Sequence, residues 1–265
     1  MTVVATVGTT HPLAFTGLTF AMLALAADAV RPVCVIAGVT AQDADHVRAS
    51  VAVDGATIHA QFDALRAAGV GAFHVGALLS AEAVRAVAAA LDSFPNVPVV
   101  VDPVLAASGG DTLADDATRI ALRDTLFARA TLLTPNLDEA SAFLGREIAG
   151  IDAMHGAAAA LLAFGASAVL VKGGHLEGDA IDVLADAGGT REFPAPRVAG
   201  TLRGTGDLLA VTIAAGLARG APLDEAIERA RQRVRGAISG AVPFAGARVA
   251  SLHDTPLRGG GSGTG

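Results

Sequence analysis

Short apolar runs alternate with longer amphipathic ones along almost the whole chain. The apolar runs, bounded by glycine, proline or polar residues, predict strands at 3–7, 33–39, 72–75, 97–101, 131–133, 168–172 and 181–185. Between them, apolar positions recurring at helical spacing predict helices at 17–27, 57–68, 81–91, 113–130, 138–144, 153–164, 208–219 and 223–239. The run from Val97 through Pro98 to Val101 is the clearest buried strand. Strand and helix in alternation predict an α/β fold with a mostly parallel central sheet and helices on both faces. In such sheets ligands bind beyond the carboxyl ends of the strands, so the chemistry is to be sought there.

Polar groups do follow the apolar runs. Val101 leads into Asp102-Pro103-Val104, Leu133 into Thr134-Pro135-Asn136-Leu137-Asp138-Glu139, and Val171 into Lys172-Gly173-Gly174-His175. Further on, Arg203-Gly204-Thr205-Gly206-Asp207 opens directly into an apolar helix. Glycines there let successive backbone N–H groups share one space, and the helix adds its positive dipole end, which makes an anion hole. Asp207 suits the helix but repels a phosphate, which makes sense if it takes a proton from an attacking hydroxyl. Each element also has a plainer reading. Asp-Pro can be a turn, Pro-Asn-Leu-Asp-Glu a helix start, and Asp207 a first-turn acid after a glycine-rich turn. Together on one rim, the acids, the amide, the lysine and the glycine turn are what phosphoryl transfer needs.

Composition narrows the classes of partner. A chain of 265 residues is long enough for one large α/β domain and short for two. Hydrophobic content is 52% and mean hydropathy +0.52, yet the apolar run at 20–27 falls far short of the roughly 20 residues of a membrane span. No membrane association is expected. The first residues read as a strand and lack the basic segment of a signal peptide, so a cytoplasmic protein is expected. The single cysteine, Cys34, excludes an internal disulfide and a multi-thiolate metal site, and its apolar neighbours predict a buried small hydrophobe. A net charge of -7 with 17% charged residues argues against a nucleic-acid partner. Arg229, Arg231, Arg233 and Arg235 are the exception, and their alternate spacing predicts a solvated helix face. His11, His74 and His175 read as loop or packing residues.

Asp102-Pro103-Val104, Ser108-Gly109-Gly110-Asp111, the segment Leu133 to Ala140, Val171 to His175 and Gly204-Thr205-Gly206-Asp207 together resemble the hydroxymethylpyrimidine/phosphomethylpyrimidine kinases of thiamine biosynthesis. These belong to the ribokinase-like superfamily, near the pyridoxal kinases. The resemblance runs from Val7 to about Ile238 and is specific from 97 to 240. It implies a ribokinase-like three-layer sandwich over 1–258, leaving a flexible glycine-rich tail at 259–265. It implies ATP as donor, a magnesium ion, a small-molecule substrate and a homodimer. Asp102 and Glu139 would attend the metal, with Asn136 near the phosphates. Lys172, Thr134 and Gly173 would serve the nucleotide, and Gly204, Thr205, Gly206 and Asp207 the transferring phosphoryl group. Gln42, in a Thr-Ala-Gln shared with the family, would read the pyrimidine edge, with Thr10 and Gly76 beside the same small substrate.

The chain departs from the family in two places. The glycine-rich substrate loop after Gly8 carries Thr9-Thr10-His11 where the family has an acid, and a second acid of the following helix is replaced by Ala21. Asp207 stands where pyrimidine kinases usually have cysteine, and is the base that pyridoxal and sugar kinases use. The substrate is expected to be a hydroxymethylpyrimidine or its phosphate, with a pyridoxal-type or a sugar or nucleoside kinase of the same superfamily, or a non-catalytic thiamine-precursor binder, as alternatives. A fixed carboxylate at 207 is a poor neighbour for a nucleophile that is already a phosphate monoester, so the alcohol should be preferred.

Overall fold

The computed structural model describes residues 1–174 and 178–252. His175 and the tail expected at 259–265 lie outside the described residues, as do the last positions of the domain expected over 1–258. The order is β1 (Val3–Thr10), α1 (Gly17–Ala27), β2 (Arg31–Gln42), β3 (Val47–Ala52), α2 (Gly55–Leu65), β4 (Ala72–Val75), α3 (Ala81–Leu91), β5 (Val99–Val101), α4 (Asp116–Ala121), β6 (Leu132–Leu133), α5 (Leu137–Leu144), α6 (Ile151–Leu162), β7 (Ala168–Val171), β8 (Ala180–Asp186), β9 (Gly189–Ala195), α7 (Thr205–Ala218) and α8 (Leu223–Ser239). A separate hairpin of β10 (Val242–Phe244) and β11 (Ala247–Val249) follows.

The main sheet has nine strands in the order β3-β2-β1-β4-β5-β6-β7-β8-β9. From β2 to β7 neighbours run parallel, while β3, β8 and β9 each pair antiparallel with the strand before them in the chain. The order reverses between β1 and β4, which opens a crevice at their carboxyl ends.

Along the central strands alternate residues join opposite cores, because successive strand side chains point to opposite faces. Val3, Ala5, Val7, Phe73, Val75, Val99, Val101, Val169 and Val171 pack under α2, α3, α5 and α6. Val4, Ala72, Val100, Leu132, Leu170 and Leu184 pack under α1, α7 and α8. Both faces are covered, as the unbroken apolar runs predict. This is the α/β sandwich with helices on both faces expected from the sequence.

Several elements differ from expectation. The edge strands β3 and β9 carry no apolar run; β3 is mostly exposed, and β9 contains Pro194, which a sheet edge tolerates. The helix expected from 113 starts at Asp116, because the Asp115 side chain accepts the Thr118 N–H at 2.8 Å and caps it there. Its continuation over Leu122–Leu126 is a π turn, followed by a 3₁₀ turn over Phe127–Arg129. Cys34 is half-buried on β2 rather than fully enclosed. Arg231 is 6% exposed and Arg233 donates to Thr212 Oγ1 and Ala24 O, so the solvated face expected here fails for these two, while Arg229 stays exposed beside Asp28. The helix turns Arg231 against β8 and Arg233 against α7 and α1. No helix among the described residues is long and apolar enough to cross a membrane.

Candidate active site

The face that holds Val4, Ala72, Val100, Leu132 and Leu170 turns polar two residues further along each strand. There it presents Thr6, His74, Asp102, Thr134 and Lys172, of which Asp102 and Lys172 meet the amino end of α7 at Gly206. The backbone holds this row in register: Gly76 N–H donates to Val7 O at 2.9 Å, Asp102 to Val75 O at 2.8 Å, Thr134 to Val101 O at 3.0 Å and Lys172 to Pro135 O at 2.9 Å. Each residue just past a strand is thus tied to the strand before it.

At the centre Lys172 Nζ donates to Asp102 Oδ1 at 2.7 Å, and Thr134 Oγ1 donates to the same oxygen at 3.0 Å. The Asp102 side chain is 3% exposed and that of Lys172 15%. Gly206 lies against the pair: a Cβ there would sit 3.2 Å from Asp102 Oδ2 and 3.3 Å from Lys172 Nζ. Gly204 has φ of 80°, and a Cβ on it would sit 2.7 Å from Phe15 O, so a glycine is required for the turn that aims the α7 amino end at this spot. The resulting surface carries backbone donors, a helix dipole and an ammonium, a chemistry that suits an anion.

Asp207 stands in the first turn of α7. Gly76 marks the space beside it, since a Cβ at Gly76 would be 4.0 Å from Asp207 Oδ1 and 3.7 Å from His74 Cε1. Burial, reinforced by the charge of Asp102, pushes the Asp207 carboxyl up to about 6, against the opposing pull of the Gly17 N–H and Lys172. A carboxyl in that range accepts a proton well near neutral pH. Burial opposes the charge on Lys172, but Asp102 and Glu139 outweigh it and hold the ammonium above its ordinary range. Beneath them His74 is buried, bonded through Nδ1 to Thr6 Oγ1 at 3.0 Å and pushed down to about 4 by its burial, so its imidazole is neutral.

Asn136 and Glu139 form a capping box on α5: Asn136 Oδ1 accepts the Glu139 N–H and Glu139 Oε2 accepts the Asn136 N–H, both at 2.8 Å. The helix-start reading therefore holds for both. Glu139 is 6% exposed, and burial raises its carboxyl, with Lys172 opposing and Asp102 adding. Among the described residues no three His, Cys, Asp or Glu side chains form a metal cage. Two carboxylates beside an anion site nevertheless fit magnesium, which keeps several waters and is commonly held through substrate phosphates. Asp102 Oδ2 faces the glycine turn at Gly206.

The structure thus gathers Asp102, Thr134, Lys172, Gly206, Asp207, Glu139 and Gly76. Thr10 and Gln42 stand apart at the ends of β1 and β2. The Thr10 hydroxyl is 2.5 Å from that of Thr19, and Gln42 Oε1 accepts from Thr40 Oγ1 at 3.4 Å. Gly173 donates its N–H to Asp182 Oδ1 at 3.0 Å, and a Cβ on it would collide with Ile181 O.

Next to this surface opens a cavity of about 420 Å³ whose walls include Lys172, Gly206, Leu209, Arg231, Val234 and Ile238. Asp182 and Arg231 in its wall were not among the residues expected from sequence. A signal was present: Arg231 falls four residues after Ile227, on the stripe that α8 buries, and Asp182 interrupts the inward-facing positions of β8.

The donor-rich surface, the acid at its edge and the adjoining cavity occur together with a clear kinship. The family model of phosphomethylpyrimidine kinase matches residues 16–251. A hydroxymethylpyrimidine/phosphomethylpyrimidine kinase of Rhizobium meliloti is 41% identical over 73% of this chain and 74% of its own length. A thiamine biosynthesis bifunctional protein of Geobacter sulfurreducens is 40% identical over 73% of this chain, which spans 40% of that longer protein. Among solved structures, phosphomethylpyrimidine kinase from Clostridium difficile superposes with a TM-score of 0.80 at 25% identity, over 90% of this chain and 100% of that one. An ADP complex of Bacillus subtilis pyridoxal kinase superposes with a TM-score of 0.85 at 27% identity, over 94% and 97% of the two chains. The protein is a phosphotransferase, and the chain belongs to the phosphomethylpyrimidine kinase family.

Proposed function

We propose that this protein transfers the γ-phosphoryl group of ATP to the hydroxymethyl group of a small heteroaromatic alcohol, a hydroxymethylpyrimidine first of all. The observation that carries the reading is the placing of Gly206 between Asp102 Oδ2 and Lys172 Nζ, with Asp207 one residue further along. Asp207 takes the proton from the alcohol as its oxygen attacks the γ-phosphorus, and ADP leaves with the electrons of the broken P–O bond. The N–H groups of Gly204, Thr205 and Gly206 and the Lys172 ammonium receive the charge on the transferring group. Asp102 and Glu139 would hold magnesium, which supplies neutralisation of the phosphate charge when bound. Apolar Leu209, Val234 and Ile238 give the nucleoside a wall, with Thr134 and Gly173 setting the strand ends beneath it. Gly76, just past β4 and beside Asp207, borders the alcohol, with Gln42 and Thr10 on the β1–β2 side.

A pyridoxal-type alcohol is the second reading, favoured by the carboxylate at 207 and by the likeness to pyridoxal kinase. ADP release measured with hydroxymethylpyrimidine, pyridoxal and ribose as acceptors separates the readings. ATP turnover that is indifferent to every acceptor would contradict them all. ATP as donor fits a cytoplasmic enzyme. A homodimer through the β2–β3 ribbon is also proposed: Val39 and Val51 face each other across it, 49% and 68% exposed, at the edge of the sheet. A monomer mass by light scattering would contradict this.

The raised Asp207 carboxyl makes activity depend on pH. In the free enzyme the base is protonated below about 6, so kcat/KM should rise roughly tenfold per pH unit up to there and level off above. Stability runs the other way. The folded carboxyl holds its proton past the ordinary 3.8, so this group's contribution is complete below that value and is lost as pH climbs through about 6. A kcat/KM profile without an acid limb that Asp207→Asn removes would contradict the assignment.

A further inference from the structure

Asp182 lies at an inward position of β8, 8% exposed, and Arg231 lies on the buried stripe of α8. Arg231 Nε donates to Asp182 Oδ2 at 2.8 Å, and its Nη2 donates to Ala180 O at 2.8 Å. Burying two charges is costly, and an apolar pair of similar volume would bind α8 to β8 at least as well. Packing therefore does not account for the pair. The other Asp182 oxygen, Oδ1, accepts the N–H of Gly173, which an apolar side chain could not do.

Gly173 directly follows the phosphate-site lysine. The Lys172 N–H is held by Pro135 O at 2.9 Å and the next N–H by Asp182 at 3.0 Å. Two consecutive peptide groups anchored on different neighbours leave the Lys172 backbone one orientation. In that orientation Nζ meets Asp102 at 2.7 Å and stands 3.3 Å from the Cβ position of Gly206. Asp182, Arg231, Lys172 and Gly206 all line the same 420 Å³ cavity.

We propose that the Asp182–Arg231 pair is a positioning device for Lys172: it fixes the Lys172–Gly173 turn against the cavity and thereby strengthens nucleotide binding without acting on the alcohol. The inference rests on the reading of this cavity as the nucleotide site. Arg231 matters through its fork, one arm on Asp182 and one on Ala180 O, which a lysine cannot reproduce.

Calorimetric titration with ADP and steady-state kinetics on the full chain test it. Asp182→Asn keeps the shape but leaves Arg231 buried without its counter-ion and weakens the acceptor for Gly173. The Kd for ADP and the KM for ATP should rise about tenfold or more, the usual worth of a charged hydrogen bond, while the KM for the alcohol stays within about twofold. Arg231→Lys should fall between this variant and the unmodified protein. The double variant Asp182→Leu with Arg231→Met should regain thermal stability, because no lone charge is left, yet keep the raised KM for ATP. A purely structural pair predicts otherwise: ADP affinity of folded Asp182→Asn equal to that of the unmodified protein, or a double variant that recovers ATP affinity together with stability. Either result overturns the inference. No ADP binding by the unmodified protein would overturn the reading of the cavity and the inference with it.

Discussion

Replacing Asp207 with asparagine should lower kcat by about 10²–10⁴-fold, the usual contribution of a positioned general base. The variant keeps the side-chain shape and an oxygen to accept the Gly17 N–H, which helps hold the carboxylate in place. It loses only the ability to take a proton. Nucleotide affinity should hold or improve, since a negative charge is removed from beside the phosphates; at about 4 Å and an effective dielectric near 20, two like charges repel by roughly 4 kcal/mol. A single-turnover measurement separates the chemical step from binding. Unchanged kcat in a folded variant would remove Asp207 from the mechanism and leave the reading of it as a first-turn helix acid.

Replacing Lys172 with methionine should have the second largest effect, and on two observables. Methionine fills most of the lysine volume, so packing survives, but Asp102 is then buried with Thr134 as its remaining side-chain partner. Breaking a buried ion pair by removing one member costs about 3–5 kcal/mol, a large part of the stability of an ordinary domain. The Asp102 charge would also act unopposed on Asp207 and Glu139, raising both carboxyls further. The acid limb of kcat/KM should move to higher pH, and ATP affinity should fall by about tenfold or more as a charged contact to phosphate is lost. Denaturant unfolding, pH profiles and ADP titration measure the three. Asp102→Asn placed on top of Lys172→Met should recover much of the stability and none of the ATP affinity. A Lys172→Met protein with native stability and native KM for ATP would show the pair to be incidental.

The layered architecture was legible because both faces of the central strands are buried. Val99, Val100 and Val101 all point into a core, so the run is continuous and easy to read. The same register carries the site. Val100 precedes Asp102, Leu132 precedes Thr134 and Leu170 precedes Lys172, each by two residues on one face, which is why polar residues just past apolar runs converge. β3 and β9 escaped because edge strands need no apolar run, and Pro194 argues against a strand unless the edge is known. Asp182 and Arg231 escaped for a different reason. A pair 49 positions apart in sequence is brought together only by packing of α8 on β8, and alternate arginines look solvated until the helix phase is fixed by Ile227 and Ala230. The capping box at Asn136 and Glu139 was visible as a helix start, but its placement beside Lys172 needed the sheet order.

Phosphorus NMR of the products tests the central claim most directly, because it reads which oxygen receives the phosphoryl group and how many times. With ATP, magnesium and hydroxymethylpyrimidine, the account predicts a phosphomonoester signal growing in step with ADP. Diphosphate should appear much later, since the monoester must approach the fixed charge of Asp207. Asp207→Cys should narrow the interval between the two signals. ATP converted to ADP and free phosphate with no phosphoester signal would contradict phosphoryl transfer to the alcohol. Diphosphate formed as fast as the monoester would contradict the role given to Asp207.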